Sequence, residues 1–277
     1  MNNKTISRSR AAAAALTILT VIFILSASVA VPLLWRGFFY LHVRLLHMTE
    51  YLPWIYEEIC GAFNEMMDYC IFGGEFSTGV LRWSEEGMRH FADCRVLFRL
   101  DLILFAVSGA VLAAVFITVF FGIQKCGCRD TASTKGRKGV LGQCGRSPSD
   151  SEMHGQCDRN SSESGTTGQF SVLASVLTTG PLDRGPFFWA GIIPSAVFIA
   201  LGLIIWAAGF DRAFIVFHKL LFPGKDNWIF DPAADEIINV LPELFFLDCA
   251  VLIAVFILLW SVVFIAADIK LCRRLKG

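Results

Sequence analysis

Residues 244–267 read LFFLDCAVLIAVFILLWSVVFIAA, and this run decides the fold. Only Asp248 and Ser261 interrupt its apolar character. A helix rises about 1.5 Å per residue, so about 20 apolar residues cross a bilayer's hydrocarbon layer. The run does not alternate with period two, which points to a helix rather than a barrel strand. Three further stretches have the same character: Ala11–Trp35, Leu100–Ile123 and Phe187–Ala208. The predicted fold is an all-α polytopic membrane protein with four transmembrane helices. Composition agrees: the 277 residues are 55% hydrophobic and 17% charged, with mean hydropathy +0.58, too apolar for an ordinary soluble domain. The net charge is +0 and no basic run alternates with aromatics, so membrane lipids rather than nucleic acid are the expected surroundings.

The basic residues set the orientation. They gather before the first span (Lys4, Arg8, Arg10), in the connection 124–186 (Lys125 to Arg184) and after the last span (Lys270, Arg273, Arg274, Lys276). Those segments are expected in the cytoplasm, with both termini. The connections Arg36–Arg99 and Gly209–Glu243 are richer in acids and are expected outside. The N-terminus also imitates a secretory signal, with small residues at Ser26–Ala30, but apolar sequence continues to Trp35 and favours a retained span. Three regions result. Residues 1–126 hold the first span, an extracellular cap and the second span. Residues 127–186 form a Ser/Gly-rich cytoplasmic insert, predicted disordered over Thr131–Gly180. Residues 187–277 hold spans three and four, the loop between them and a basic tail.

The first outer connection is too aromatic for a floppy loop, and a partly helical cap lying on the membrane is expected. Gly73-Gly74 and Gly79 mark turns. Ser84 reads as the N-cap of a helix running through Arg99 into span two, with Glu85 and Glu86 in its first turn. His90 and Asp93 share a face of that helix, so Asp93 can hydrogen-bond the His90 ring and fix its tautomer; the plainer reading is an outward-facing histidine on a solvated helix.

The second outer connection is densely functional. Residues 214–246 read FIVFHKLLFPGKDNWIFDPAADEIINVLPELFF. Asp231-Pro232 reads as a helix start, and Glu243 falls in the first turn after Pro242. Trp228 and Phe230 have the character of interfacial anchors. His218 has no such structural role and sits just outside span three. Asp101 and Asp248 lie just inside the outer ends of spans two and four, where acids are expensive unless paired or wetted. These acids and the two histidines are expected to converge at one membrane face.

Nine cysteines are present. Cys60, Cys70 and Cys94 fall outside on this topology, and Cys60–Cys70 is the simplest of the open disulfide pairings. Cys126, Cys128, Cys144, His154 and Cys157 lack paired CxxC spacing, and no HExxH helix accompanies His90 and His218, so no metal is expected. No GxSxG, P-loop or GxGxxG stands in a supporting context.

The stretch FHKLLFPGKDNWIFDPAADEIINVLPELFFLD (217–248), together with WSEEGMRHFADCRVLF (83–98), resembles a bacterial family of four-span membrane proteins that includes the lipoprotein intramolecular transacylase, Lit. The insert 136–186 departs from that pattern. The resemblance implies a bacterial cytoplasmic-membrane enzyme with its active site on the extracellular face. Its substrate would be a diacylated lipoprotein, one of whose acyl chains moves from the glyceryl ester to the α-amine of the N-terminal cysteine. His90 and His218 would be the catalytic residues, with either as the base, and no cofactor would be needed. Asp231 or Asp235 would orient His218, while Trp228 and Phe230 would hold the substrate's headgroup end. A non-enzymatic transporter or envelope scaffold, and a metal-dependent membrane hydrolase, are the competing readings of the same residues.

Overall fold

A computed structural model describes residues 3–136, 172–180 and 184–276. The chain begins with α1 (Asn3–Leu34), α2 (Arg36–Leu45), α3 (Met48–Tyr51) and α4 (Tyr56–Ile71). It continues through α5 (Glu85–Gly136), α6 (172–177), α7 (Pro186–Ala208), α8 (Phe210–Leu221), a 3-10 helix (Glu236–Val240) and α9 (Glu243–Lys276). No strand occurs among the described residues. Helices α1, α5, α7 and α9 are each long and apolar enough to cross a membrane, so the protein is a four-span, all-α membrane protein.

The spans pack around α1, which lies against α5, α7 and α9. Their shared core includes Ile24, Leu112, Phe187, Ile257 and Phe264. Phe187 stacks between Phe116 and Phe264, at centroid distances of 5.0 and 5.8 Å. Lipid tails are as apolar as these side chains, so close packing rather than water exclusion holds the spans together. At one end Asp268 of α9, buried, accepts the Gly185 N–H at 3.0 Å and so caps the start of α7.

A second, separate core lies at the other end. Phe39 and Val43 of α2, Ile59, Phe63 and Met67 of α4, Phe76 and Leu81 of the connecting turn, and Ile237, Val240 and Phe245 all bury together. The connection between α1 and α5 and the one between α7 and α9 therefore form one cap. Here burial removes apolar surface from water, and each enclosed Phe or Ile stabilises the cap by about 1.5–3 kcal/mol. Spans α1, α5 and α9 each have one end in this cap, α7 leads to it through α8, and the described chain ends, Asn3 and Lys276, lie at the opposite end.

Several elements differ from the sequence reading. Residues 210–221 form a helix, α8, rather than part of a loop. Gly209, at φ +90°, makes the bend from α7 at a backbone conformation that residues with a Cβ rarely adopt. Asp231-Pro232 opens a turn rather than a helix, because Asp231 Oδ1 accepts the Ala233 N–H at 3.0 Å and the chain then enters the 3-10 helix. Residues 131–136, the end of α5, and 172–177 are helical, with Leu177 buried in the span core, where disorder was predicted. Residues 137–171, the rest of that prediction and the His154 and Cys144 positions with it, lie outside the described residues. Cys60 and Cys70 are not bridged: ten residues apart on α4, they are separated by about 15 Å of helix.

Candidate active site

The start of α5 is held by the connection between α7 and α9. Ser84 Oγ accepts the Gly87 N–H at 3.0 Å, as expected of an N-cap. Asp235, itself buried, accepts from the Ser84 N–H at 2.7 Å and from the Ser84 hydroxyl at 2.8 Å. Beside it, Arg82 Nε and the Arg82 backbone N–H both donate to the Glu236 carboxylate at 2.8 Å, and Arg82 holds that carboxyl below the usual range. Gly87 has to lack a side chain, since a Cβ would run into Asp235 and Phe230.

This clamp brings His90 and His218 together. Their ring centroids are 5.9 Å apart, and the residues are only 5% and 9% exposed. His218 is the one buried residue of α8, whose Val216, Phe217 and Leu220 are exposed. Trp228 stacks on the His218 ring at 5.0 Å, and Phe230 meets the edge of His90 at 5.4 Å. Phe214 and Phe222, one helical turn before and after His218, close the rest: Phe214 contacts His218 at 4.1 Å and Phe222 contacts His90 at 4.9 Å. The sequence reading missed both, although their i±4 spacing from His218 was the available signal.

Hydrogen bonding distinguishes the nitrogens. His218 Nδ1 lies 2.8 Å from the Phe214 carbonyl oxygen. A carbonyl only accepts, so Nδ1 carries the proton and Nε2 keeps the lone pair. Burial lowers the His218 pKa, with the Phe214 hydrogen bond opposing it in part. His90 Nε2 lies 3.3 Å from Cys94 Sγ, and its Nδ1 is buried with no hydrogen-bond partner among the described residues.

The carboxylates are placed differently from expectation. Asp93 does not hydrogen-bond His90: its oxygens accept from Lys225 Nζ at 2.6 Å and Asn227 Nδ2 at 3.2 Å, because those groups reach it from the facing loop. It thereby ties the loop carrying Trp228 to the helix carrying His90. Asp235 and Asp231 serve Ser84 and the 231–235 turn, so neither orients His218. Asp248 pairs with His42 Nδ1 at 3.3 Å, and Glu243 lies beside Asp211 of α8. Asp101 is eleven residues along α5 from His90, about 16 Å, and its buried Oδ2 has no partner among the described residues. These acids therefore do not converge on the imidazole pair. His42 was unforeseen; it shares the buried face of α2 with Phe39 and Val43. Among the described residues, no group of three His, Cys, Asp or Glu side chains is placed to hold a metal ion.

Comparison with known proteins gives three concordant findings. A family model described as lipoprotein intramolecular transacylase Lit matches residues 14–132 and 172–246. A structure of the membrane integral lipoprotein intramolecular transacylase Lit from Bacillus cereus superposes with TM-score 0.67 at 18% identity, covering 98% of each chain. A variant of that enzyme with one histidine replaced by arginine gives TM-score 0.63 at 19% identity, covering 98% of this chain and 94% of the other. No curated protein sequence matches the chain. The structural likeness is one of fold; the family model spans well over half of the sequence and both walls of the histidine pair, and the chain belongs to the Lit family.

Proposed function

We propose that the protein moves an acyl chain within a diacylated bacterial lipoprotein, from the glyceryl ester to the α-amine of the N-terminal cysteine. The amine attacks the ester carbonyl. A C–N bond forms, the ester C–O bond breaks, and the amine's proton ends on the released glyceryl oxygen. Ester becomes amide with no water, cofactor or covalent enzyme intermediate. The pairing of two buried imidazoles, 5.9 Å apart in an aromatic box at the lipid boundary, carries this reading.

His218 is the base in this scheme, since the Phe214 carbonyl commits Nδ1–H and leaves Nε2 to take the amine proton and return it to the leaving oxygen. His90 serves the oxyanion. A thiol donating to Nε2 leaves the proton on Nδ1, the nitrogen without a partner. One such donor is worth about 2.7–4 kcal/mol of barrier. Holding amine and ester in register on one molecule supplies up to about 7–11 kcal/mol more. Trp228 and Phe230 wall the reacting headgroup, while the exposed apolar faces of α5, α7 and α8 leave the acyl chains in the lipid. The distribution of Lys and Arg supports an orientation with this end on the extracellular face and both termini in the cytoplasm.

Mass spectrometry of a lipoprotein's N-terminal peptide, with and without the protein expressed, tests the assignment. Expression should convert the diacyl form to the N-acylated lyso form. His90→Ala and His218→Ala should each lower conversion by about 10³-fold or more while the protein still inserts. Unaltered diacyl peptide alongside well-expressed wild-type protein would remove the proposal.

A further inference from the structure

A cavity of about 650 Å³ opens between the first turns of α5 and residues 225–229, and neither histidine lines it. On one wall Glu86, Arg89 and Asp93 follow one another at helical spacing; on the other stand Lys225, Asp226 and Asn227. Each wall adjoins the reaction centre: His90 follows Arg89 on α5, and Asn227 precedes Trp228, which stacks on His218. Asp93 and Asn227, joined at 3.2 Å across the two walls, both line it. The cavity is displaced toward the start of α5, away from the apolar run 100–123, and so toward water.

Its charge is already largely balanced. Arg89 Nη2 bonds Glu85 at 2.6 Å and its Nη1 bonds Glu86 at 3.1 Å, while Lys225 is taken by Asp93. A site for a lipid phosphate would need uncommitted cations. A lining of three carboxylates, two cations and one amide, net −1, suits instead the alternating N–H and C=O groups of an extended peptide.

We infer that this cavity receives the polypeptide segment immediately following the modified cysteine of the lipoprotein substrate. The inference rests on the acyl-transfer reading. That reading requires the cysteine's amine at the imidazole pair, while the rest of a whole protein leaves toward water. A cavity beside the imidazole pair, at the start of α5, suits that path, and its contacts would lower KM for substrates long enough to fill it.

The test uses full-length protein in lipid bilayers and two synthetic diacylglyceryl-cysteinyl peptides, carrying one or six residues after the cysteine. Wild-type KM should be about five- to tenfold lower for the longer peptide, the equivalent of one or two net hydrogen bonds. Glu86→Ala/Arg89→Ala on one wall, and separately Asp226→Ala on the other, should bring the two KM values together. These side chains are exposed, so the variants are expected to fold. Equal wild-type KM values, or a difference that survives in both variants, would overturn the assignment and leave the transacylase reading standing. Conversion of neither peptide by the wild-type protein would overturn both.

Discussion

One nitrogen of His218 is committed and one is free, and that asymmetry fixes its chemistry. Burial keeps the ring neutral below the ~6.5 of free imidazole, so the base stays competent as pH falls through that value. The substrate amine, near ~7.7–8.0, titrates higher. The acid limb of kcat/KM should therefore follow a single ionisation, that of the amine, as pH falls through the ~6.5 of free imidazole. A second inflection at ~6.5, steepening the limb, would mean that His218 titrates freely. Cys94 makes a separate prediction. Cys94→Ala leaves His90 Nε2 without its partner and should lower kcat by about tenfold, whereas Cys94→Ser keeps a donor there and should restore most of it. Equal loss in both would show that the thiol only fills space. His218 was legible in the sequence as a titratable group at a span end with no ordinary structural purpose. His90 was legible only through the family resemblance of 83–98, since its own helix offered a solvated face as readily, and the structure buries both rings together. Asp93 was misread for a definite reason. Helical spacing reports which residues share a face, yet a lysine arriving from another segment at 2.6 Å outcompetes a neighbouring imidazole, and nothing local announces it.

At the scale of elements, the site is a junction between the first turn of α5 and the segment 225–236. Ser84 as N-cap and the helix through Arg99 could be read directly, since capping chemistry is local. Its partner could not: Asp235 reaches Ser84 from 151 positions away in the chain. Asp235→Ala would strip the acceptor from the Ser84 N–H and hydroxyl, costing about 2 kcal/mol. A lowered melting temperature in detergent, together with impaired conversion, is expected; unchanged values of both would contradict the clamp. Helix α8 was hidden because it is short, follows an apolar span closely and turns only His218 inward. Its exposed Val216, Phe217 and Leu220 suit a helix lying in the membrane interface rather than crossing it.

For the whole molecule, the four spans were the easiest feature to read. Length and continuous hydropathy specify a membrane helix almost alone. The cap was legible as a packed aromatic segment, but its sharing of one core with the second outer loop was not, since non-local burial leaves no period in the sequence. The family match omits residues 133–171, and every residue placed around the imidazole pair lies outside that stretch. Deleting 137–171 should therefore leave conversion within about twofold of wild type by the same mass assay, about 0.4 kcal/mol; loss of activity in an inserted, stable deletion protein would give the insert a part in the reaction.

The most direct measurement asks whether the acyl chain ever leaves its own substrate molecule. Purified protein is supplied with an equal mixture of two diacylglyceryl-cysteinyl peptides of different sequence, one carrying isotope-labelled acyl chains, and the N-acylated products are weighed. Each peptide should retain only the label it brought. Scrambled label would show transfer between molecules, and labelled free fatty acid without N-acylation would show hydrolysis; either would contradict an amine and an ester held together between His90 and His218.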